Sequence, residues 1–131
     1  MAEKIVVDTS ILVDVLENGD EELFMKLSSR IALVPFVALY EYLYGYAYLG
    51  KSVEREKKVI EKLFSVVFLD QNILMKALEL DVALSKEGYK VPQADVVIAA
   101  TAISLGLPLL TRDLRYYPRF QKHGLKLLTE L

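Results

Sequence analysis

Near its start the chain runs Ile5-Val6-Val7-Asp8-Thr9-Ser10-Ile11-Leu12-Val13. Three β-branched residues in a row read as a short buried strand, since a strand covered on both faces shows an unbroken apolar run rather than alternation. Asp8, Thr9 and Ser10 are residues that cap helix N-termini, and the apolar residues that follow at Ile11, Leu12, Val13, Val15 and Leu16 read as the helix they start. Strand, cap and helix within a dozen residues is the opening of an α/β unit, and the rest of the chain repeats it.

Ile31 to Val34 reads as a second strand stopped by Pro35, Val66 to Leu69 as a third, Leu109 to Thr111 as a fourth and Leu125 to Leu128 as a fifth. Between them, helical spacing covers Glu21–Ser29, Val37–Leu49, Ser52 to about Phe64, a helix capped by Asp70 and ended by Gly88, and one from Pro92 to Leu105 closed by Gly106. Strands separated by helices require crossover connections, so the expected architecture is a three-layer α/β/α fold. Its central sheet is mainly parallel and has four to five strands. With no repeat or linker in view, 131 residues are expected to form one domain, 1–131.

Composition narrows the function. Apolar residues make up 53% of the chain, which argues against disorder. A formal net charge of −2 excludes gripping long nucleic acid through a broad basic surface; any such partner must be met locally. The absence of cysteine excludes disulfides and thiolate metal sites and fits a reducing cytoplasm. Met1 to Lys4 leads into the first strand without a cleavable apolar segment. The apolar windows Ile31–Gly50 and Val91–Leu110 are broken by proline and read as core elements rather than membrane spans.

The charges in these apolar stretches are few and all acidic. Asp8 is the only charged residue from Ile5 to Val13, Glu41 the only one from Ile31 to Gly50, and Asp95 the only one from Val91 to Leu110. A buried, unpaired carboxylate costs several kcal/mol, and no lysine or arginine lies nearby in any of these windows. Asp113 follows the fourth strand as Asp8 follows the first, which places both at the strand ends where open parallel sheets hold their ligands. Glu41 and Asp95 lie early in their helices and can reach the same rim. Four acids there would raise one another's pKa unless a cation intervenes, and an oxygen-only donor set without histidine or cysteine selects a hard ion, Mg²⁺ or Mn²⁺. Such an ion suits phosphoryl chemistry. The bland alternatives are N-caps at Asp8 and Asp95 and an ordinary turn at Asp113.

In order along the chain, Val7-Asp8-Thr9-Ser10-Ile11-Leu12-Val13-Asp14, Tyr40-Glu41-Tyr42-Leu43-Tyr44-Gly45, Ala94-Asp95-Val96-Val97-Ile98-Ala99-Ala100-Thr101-Ala102 and Leu110-Thr111-Arg112-Asp113 resemble the motifs of the PIN domain family, in particular the short VapC-type toxins of toxin–antitoxin pairs. The resemblance spans nearly the whole chain. It implies an Mg²⁺- or Mn²⁺-dependent endoribonuclease that leaves a 5′-phosphate, an RNA substrate and an antitoxin that blocks the site. It matches Asp8, Glu41, Asp95 and Asp113 to the family's acidic quartet. Thr9 matches its hydroxyl beside the first acid, and Thr111 is expected to support the site as well. Metal would rest on Asp8, Asp95 and Asp113, with Glu41 acting through water or on the nucleophile. Arg115 departs from relatives that carry a further acid there, which puts a second metal in doubt.

Arg112 and Arg115 are candidate RNA phosphate contacts, Asp14 reads as a surface or salt-bridging acid and His123 as a surface residue. Tyr40, Tyr42, Tyr44, Tyr46 and Tyr48 spread around one helix, too many for one buried face, so some are expected at a dimer or antitoxin interface; a homodimer is the expected assembly. The competing functions are a phosphatase or phosphotransferase, against which the lack of a DxD pair or a nearby lysine argues; an RNA-processing nuclease outside a toxin–antitoxin pair; and a non-catalytic binding module of the same fold.

Overall fold

A computed structural model describes residues 2–131; Met1, from which the chain was expected to lead into its first strand, lies outside the described residues. Strand β1 (Lys4–Val7) is followed by α1 (Thr9–Leu12), a π-helical turn (Val13–Glu17) and α2 (Glu21–Ser28). Then come β2 (Ile31–Pro35), α3 (Phe36–Tyr48), α4 (Val53–Leu63), β3 (Ser65–Val67), α5 (Gln71–Lys86), α6 (Gln93–Leu105) and β4 (Leu109–Leu110). A 3₁₀ helix (Tyr117–His123) and β5 (Leu127–Leu128) complete the chain. The five strands pair in the order β3-β2-β1-β4-β5, every pair parallel. The expected three-layer α/β/α fold with a central parallel sheet is therefore present.

This order decides where a site can form. The chain lays strands outward from β1 in one direction, to β2 and β3, then returns to β1's other side for β4 and β5. The connections thus depart to opposite sides at β1 and β4, and a crevice opens beyond the carboxyl ends of those two strands. Val6 pairs with Leu109 and Val7 with Leu110, so Asp8 and Thr111 emerge side by side at that crevice.

Local chemistry builds the elements as their sequences direct. Asp8 caps α1, Asp20 caps α2 through Leu23 N–H at 3.0 Å and Asp70 caps α5 through Ile73 N–H at 2.8 Å. Helix α6 ends at Gly106, whose φ of +67° is a left-handed conformation open to glycine at little cost. The apolar α6 contacts β1, α3 and α5 and carries Val96, Ile98, Ala99, Ala100 and Ala102 into the core. Among the described residues no helix is long and apolar enough to cross a membrane.

Three details differ from expectation. The third strand ends at Val67, not Leu69, because Val67 pairs with Pro35, the last residue of β2; Phe68 and Leu69 then run past the ladder and are exposed. The stretch Tyr117–His123, for which no helix was expected, winds into the 3₁₀ helix and buries Tyr117 and Phe120. The tyrosines of α3 sort into two faces. Tyr42 and Tyr46 turn inward, while Tyr40, Tyr44 and Tyr48, spaced by four, form one exposed stripe.

Because Leu110 is fully buried at the end of inner strand β4, directly before the loop that carries Asp113, Leu110→Ala is expected to cost about 2–5 kcal/mol in urea unfolding followed by circular dichroism. Lys57→Ala, which removes an exposed i,i+4 ion pair, is expected to cost less than about 0.5 kcal/mol.

Candidate active site

The crevice beyond β1 and β4 is a cleft of about 270 Å³ lined by Asp8, Thr9, Ser10, Val13, Glu41, Asp95, Asp113, Arg115 and Tyr117. All four acids singled out from the sequence meet there, from α1's cap, α3, α6 and the loop after β4.

Asp8 is the buried member, 3% exposed. Its Oδ1 accepts from Ser10 Oγ at 2.6 Å and Ile11 N–H at 3.3 Å, and its Oδ2 accepts from Thr111 Oγ1 at 2.6 Å. Burial raises its pKa, these three hydrogen bonds oppose the rise, and Asp113 adds to it. Thr111 is fully buried and takes the Asp113 backbone N–H at 3.0 Å, so one hydroxyl ties both acids of the β1–β4 edge together.

Asp95, in the first turn of α6, is half-buried, and its pKa rises from the ordinary 3.8 to about 6. Burial is the largest cause; the charges of Glu41, Asp113 and Asp8 follow, and Arg115 works in the opposite sense. Asp113 is held low by Arg115, whose Nε and Nη2 reach its two oxygens at 2.9 and 2.7 Å. Glu41 corrects the burial argument, which applied to it as to Asp8 and Asp95: it is exposed at the rim, on the outer face of α3 between buried Leu39 and Tyr42. Its Oε1 accepts from Thr9 Oγ1 at 2.8 Å.

Two residues join the site that sequence patterns did not single out. Ser10 was read only as a cap; it donates to Asp8 and accepts the Arg112 backbone N–H at 3.1 Å. Its signal was a hydroxyl two residues after a capping aspartate. Tyr117, 2% exposed, lines the cleft, and burial together with all four acids pushes its phenol far up, so it remains a proton donor. Arg112, read as a phosphate contact, turns away from the cleft: its Nη1 meets Asp14 at 2.9 Å and Asp20 at 2.7 Å.

The lining sets four carboxylates against one guanidinium. Among the described residues no group of three such side chains stands in a ready-made metal-holding arrangement. Asp113 is held by Arg115 and Glu41 by Thr9. The donor chemistry nevertheless fits a hard divalent cation, since every side-chain donor atom that could face such an ion is an oxygen, four of the groups being carboxylates.

Asp95 binds its proton more tightly folded than unfolded, so its contribution to stability is full below about pH 4 and is lost as pH rises through about 6. In chelator, Asp95→Asn is therefore expected to raise Tm at pH 7.5 by a few degrees, about the effect of 1 kcal/mol or less in a domain of this size, and to gain nothing at pH 4. Melting curves at the two pH values check this; an equal loss at both would contradict it.

Comparison with known proteins gives the family and the fold. The family model of the PIN domain matches residues 5–123. The chain is 31% identical over 128 residues to Ribonuclease VapC1 of Methanocaldococcus jannaschii, covering 95% of this chain and 86% of that protein. It is 35% identical over 107 residues to a VapC ribonuclease of Pyrococcus furiosus, covering 77% and 72%. In fold it is similar to VapBC-1 from nontypeable Haemophilus influenzae, with TM-score 0.81, 19% identity and coverage of 95% and 96%. DNA-bound VapBC from Salmonella typhimurium gives TM-score 0.79, 26% identity and coverage of 98% of each chain. With a family match over most of its length and close relatives of one kind, the chain belongs to the PIN domain family, among its VapC-type members.

Proposed function

We propose that this protein is an Mg²⁺- or Mn²⁺-dependent endoribonuclease and the toxin of a toxin–antitoxin pair. One observation carries the reading: Asp8, Glu41, Asp95 and Asp113 share one cleft at the switch point of the sheet, where burial and the charges of the other three acids raise the Asp95 pKa to about 6. The relatives named as VapC ribonucleases support RNA as substrate, and the VapBC structures of the same fold support an antitoxin partner.

Asp8, Asp95 and Asp113 would hold the ion. When bound, it neutralises charge gathering on the phosphate and lowers the pKa of water. The chain's own part is positional. Ser10 and Thr111 fix Asp8 in one orientation by a hydrogen bond to each oxygen, so that carboxylate does not reorganise during the reaction. Glu41, held by Thr9 at the exposed rim, is placed to orient the attacking water. Water gives up a proton and adds to phosphorus in line, the bond to the 3′ oxygen breaks, that oxygen takes up a proton to become the 3′ hydroxyl, and a 5′-phosphate remains. Tyr117, protonated at every working pH, supplies a donor from the cleft wall.

The exposed Tyr40, Tyr44 and Tyr48 stripe, with Tyr44 and Tyr48 stacked at 6.3 Å, serves protein contacts, in a homodimer and with the antitoxin. Such rigid, amphipathic rings favour protein interfaces. The cytoplasm, where RNA and antitoxin are met, is the proposed location.

The test is cleavage of RNA with Mg²⁺ or Mn²⁺ by wild type, Asp8→Asn and Asp95→Asn. Both variants are expected to stay folded and lose more than about a hundredfold in rate, and chelator is expected to abolish wild-type cleavage. Activity that survives either substitution, or persists in chelator, would overturn the mechanism.

A further inference from the structure

The loop between β4 and the 3₁₀ helix brings one cation into the acidic cleft. Arg115 grips Asp113 as a fork: Nε to Oδ1 at 2.9 Å and Nη2 to Oδ2 at 2.7 Å, with its own backbone N–H adding a third bond to Oδ1 at 3.2 Å. Both oxygens of Asp113 are thereby occupied by positive charge. The guanidinium lies on the open side, 76% exposed against 28% for Asp113, and 5.8 Å from the centroid of the Tyr116 ring. It is the only cationic group among the residues that line the cleft. Its charge also reaches Asp95, where it opposes the rise that the other acids cause.

A divalent ion and this fork need the same carboxylate. The ion requires an Asp113 lone pair directed inward, and two cations a few ångströms apart repel. A fork of this kind is well directed, but an exposed ion pair is weak in net terms, so it yields to an ion that Asp8 and Asp95 hold as well. It also accounts for the geometry of the cleft, in which the acids are gathered around one space without forming a ready-made metal-holding group.

We propose that Arg115 is a built-in counter-cation that holds Asp113 in the metal-free protein and must let go of it before a divalent ion is fully bound, so that Arg115 sets the metal affinity of the site. The inference rests on the metal reading given under the proposed function. It assigns Arg115 a positioning role, exerted through Asp113.

The test titrates Mn²⁺ alone into wild type, Arg115→Gln and Arg115→Lys by calorimetry, and compares melting curves in chelator and in saturating Mn²⁺. Arg115→Gln is expected to bind Mn²⁺ about three- to tenfold more tightly, with Arg115→Lys, which keeps the charge and loses the fork, falling between. Arg115→Gln is also expected to melt lower than wild type in chelator and no lower in Mn²⁺, since the ion replaces what the fork supplied. Arg119→Gln removes a positive charge from an arginine that lies over Tyr89 rather than on the cleft, and is expected to leave the affinity unchanged. Equal or weaker Mn²⁺ binding by Arg115→Gln, or an equal loss of Tm with and without Mn²⁺, would overturn the role of Arg115 while leaving the metal site standing. A wild type that binds no Mn²⁺ would overturn both.

Discussion

Like charges at close quarters are the constraint around which this molecule is arranged. Four carboxylates face one cleft, and each is made tolerable by a different device. Asp8, out of reach of water, is satisfied by hydroxyl and amide donors. Asp113 has a guanidinium. Glu41 keeps access to solvent and takes one hydroxyl from Thr9. Asp95 has no hydrogen-bonded partner of this kind, and burial followed by the charges of Glu41, Asp113 and Asp8 raises its pKa, with only Arg115 opposing. A cluster of this kind destabilises the metal-free fold, which is the usual relation between a functional site and the structure that carries it.

The surrounding network shows how the scaffold restrains the cleft. Ser10 stands between Asp8 and the backbone of Arg112, and Thr111 stands between Asp8 and the backbone of Asp113, so the end of β1 and the loop after β4 are laced together by two hydroxyls. Arg112 then carries the link outward to Asp14 on the π-helical turn and to Asp20, the cap of α2. The π-helical turn gives the first helix one extra residue at this join, and Asn18 N–H closes it onto the Val13 carbonyl at 3.0 Å. The fold thus places Asp8 and Asp113 through the strand ends and leaves the side chains of Glu41 and Arg115 as the two exposed members of the lining.

Much of this was legible in the residues. Unbroken β-branched runs followed by capping residues marked the parallel strands and their crossovers, because burial on both faces and capping chemistry act locally. The four acids stood out because each is alone among apolar neighbours or directly follows a strand. What was not legible depended on partners distant in sequence or on geometry. Arg112 and Arg115 look alike as basic neighbours of Asp113, yet one faces Asp14 and Asp20 and the other the cleft. Tyr117 stood in no sequence motif, and only the 3₁₀ helix buries it beside Phe120, 6.5 Å between ring centroids. Glu41 looked buried because helix periodicity cannot say which face of an almost wholly apolar helix meets solvent. The same ambiguity hid the tyrosine stripe, whose spacing by four emerges only once the inward face is known.

The central claim is that these carboxylates are gathered for one cation. It is tested most directly by anomalous diffraction from crystals grown with Mn²⁺. The account predicts a strong peak within coordination distance of Asp8 and Asp95, with the Asp113 carboxylate turned toward it and away from Arg115. No peak in the cleft, or one held elsewhere with the Arg115–Asp113 pair intact, would contradict it.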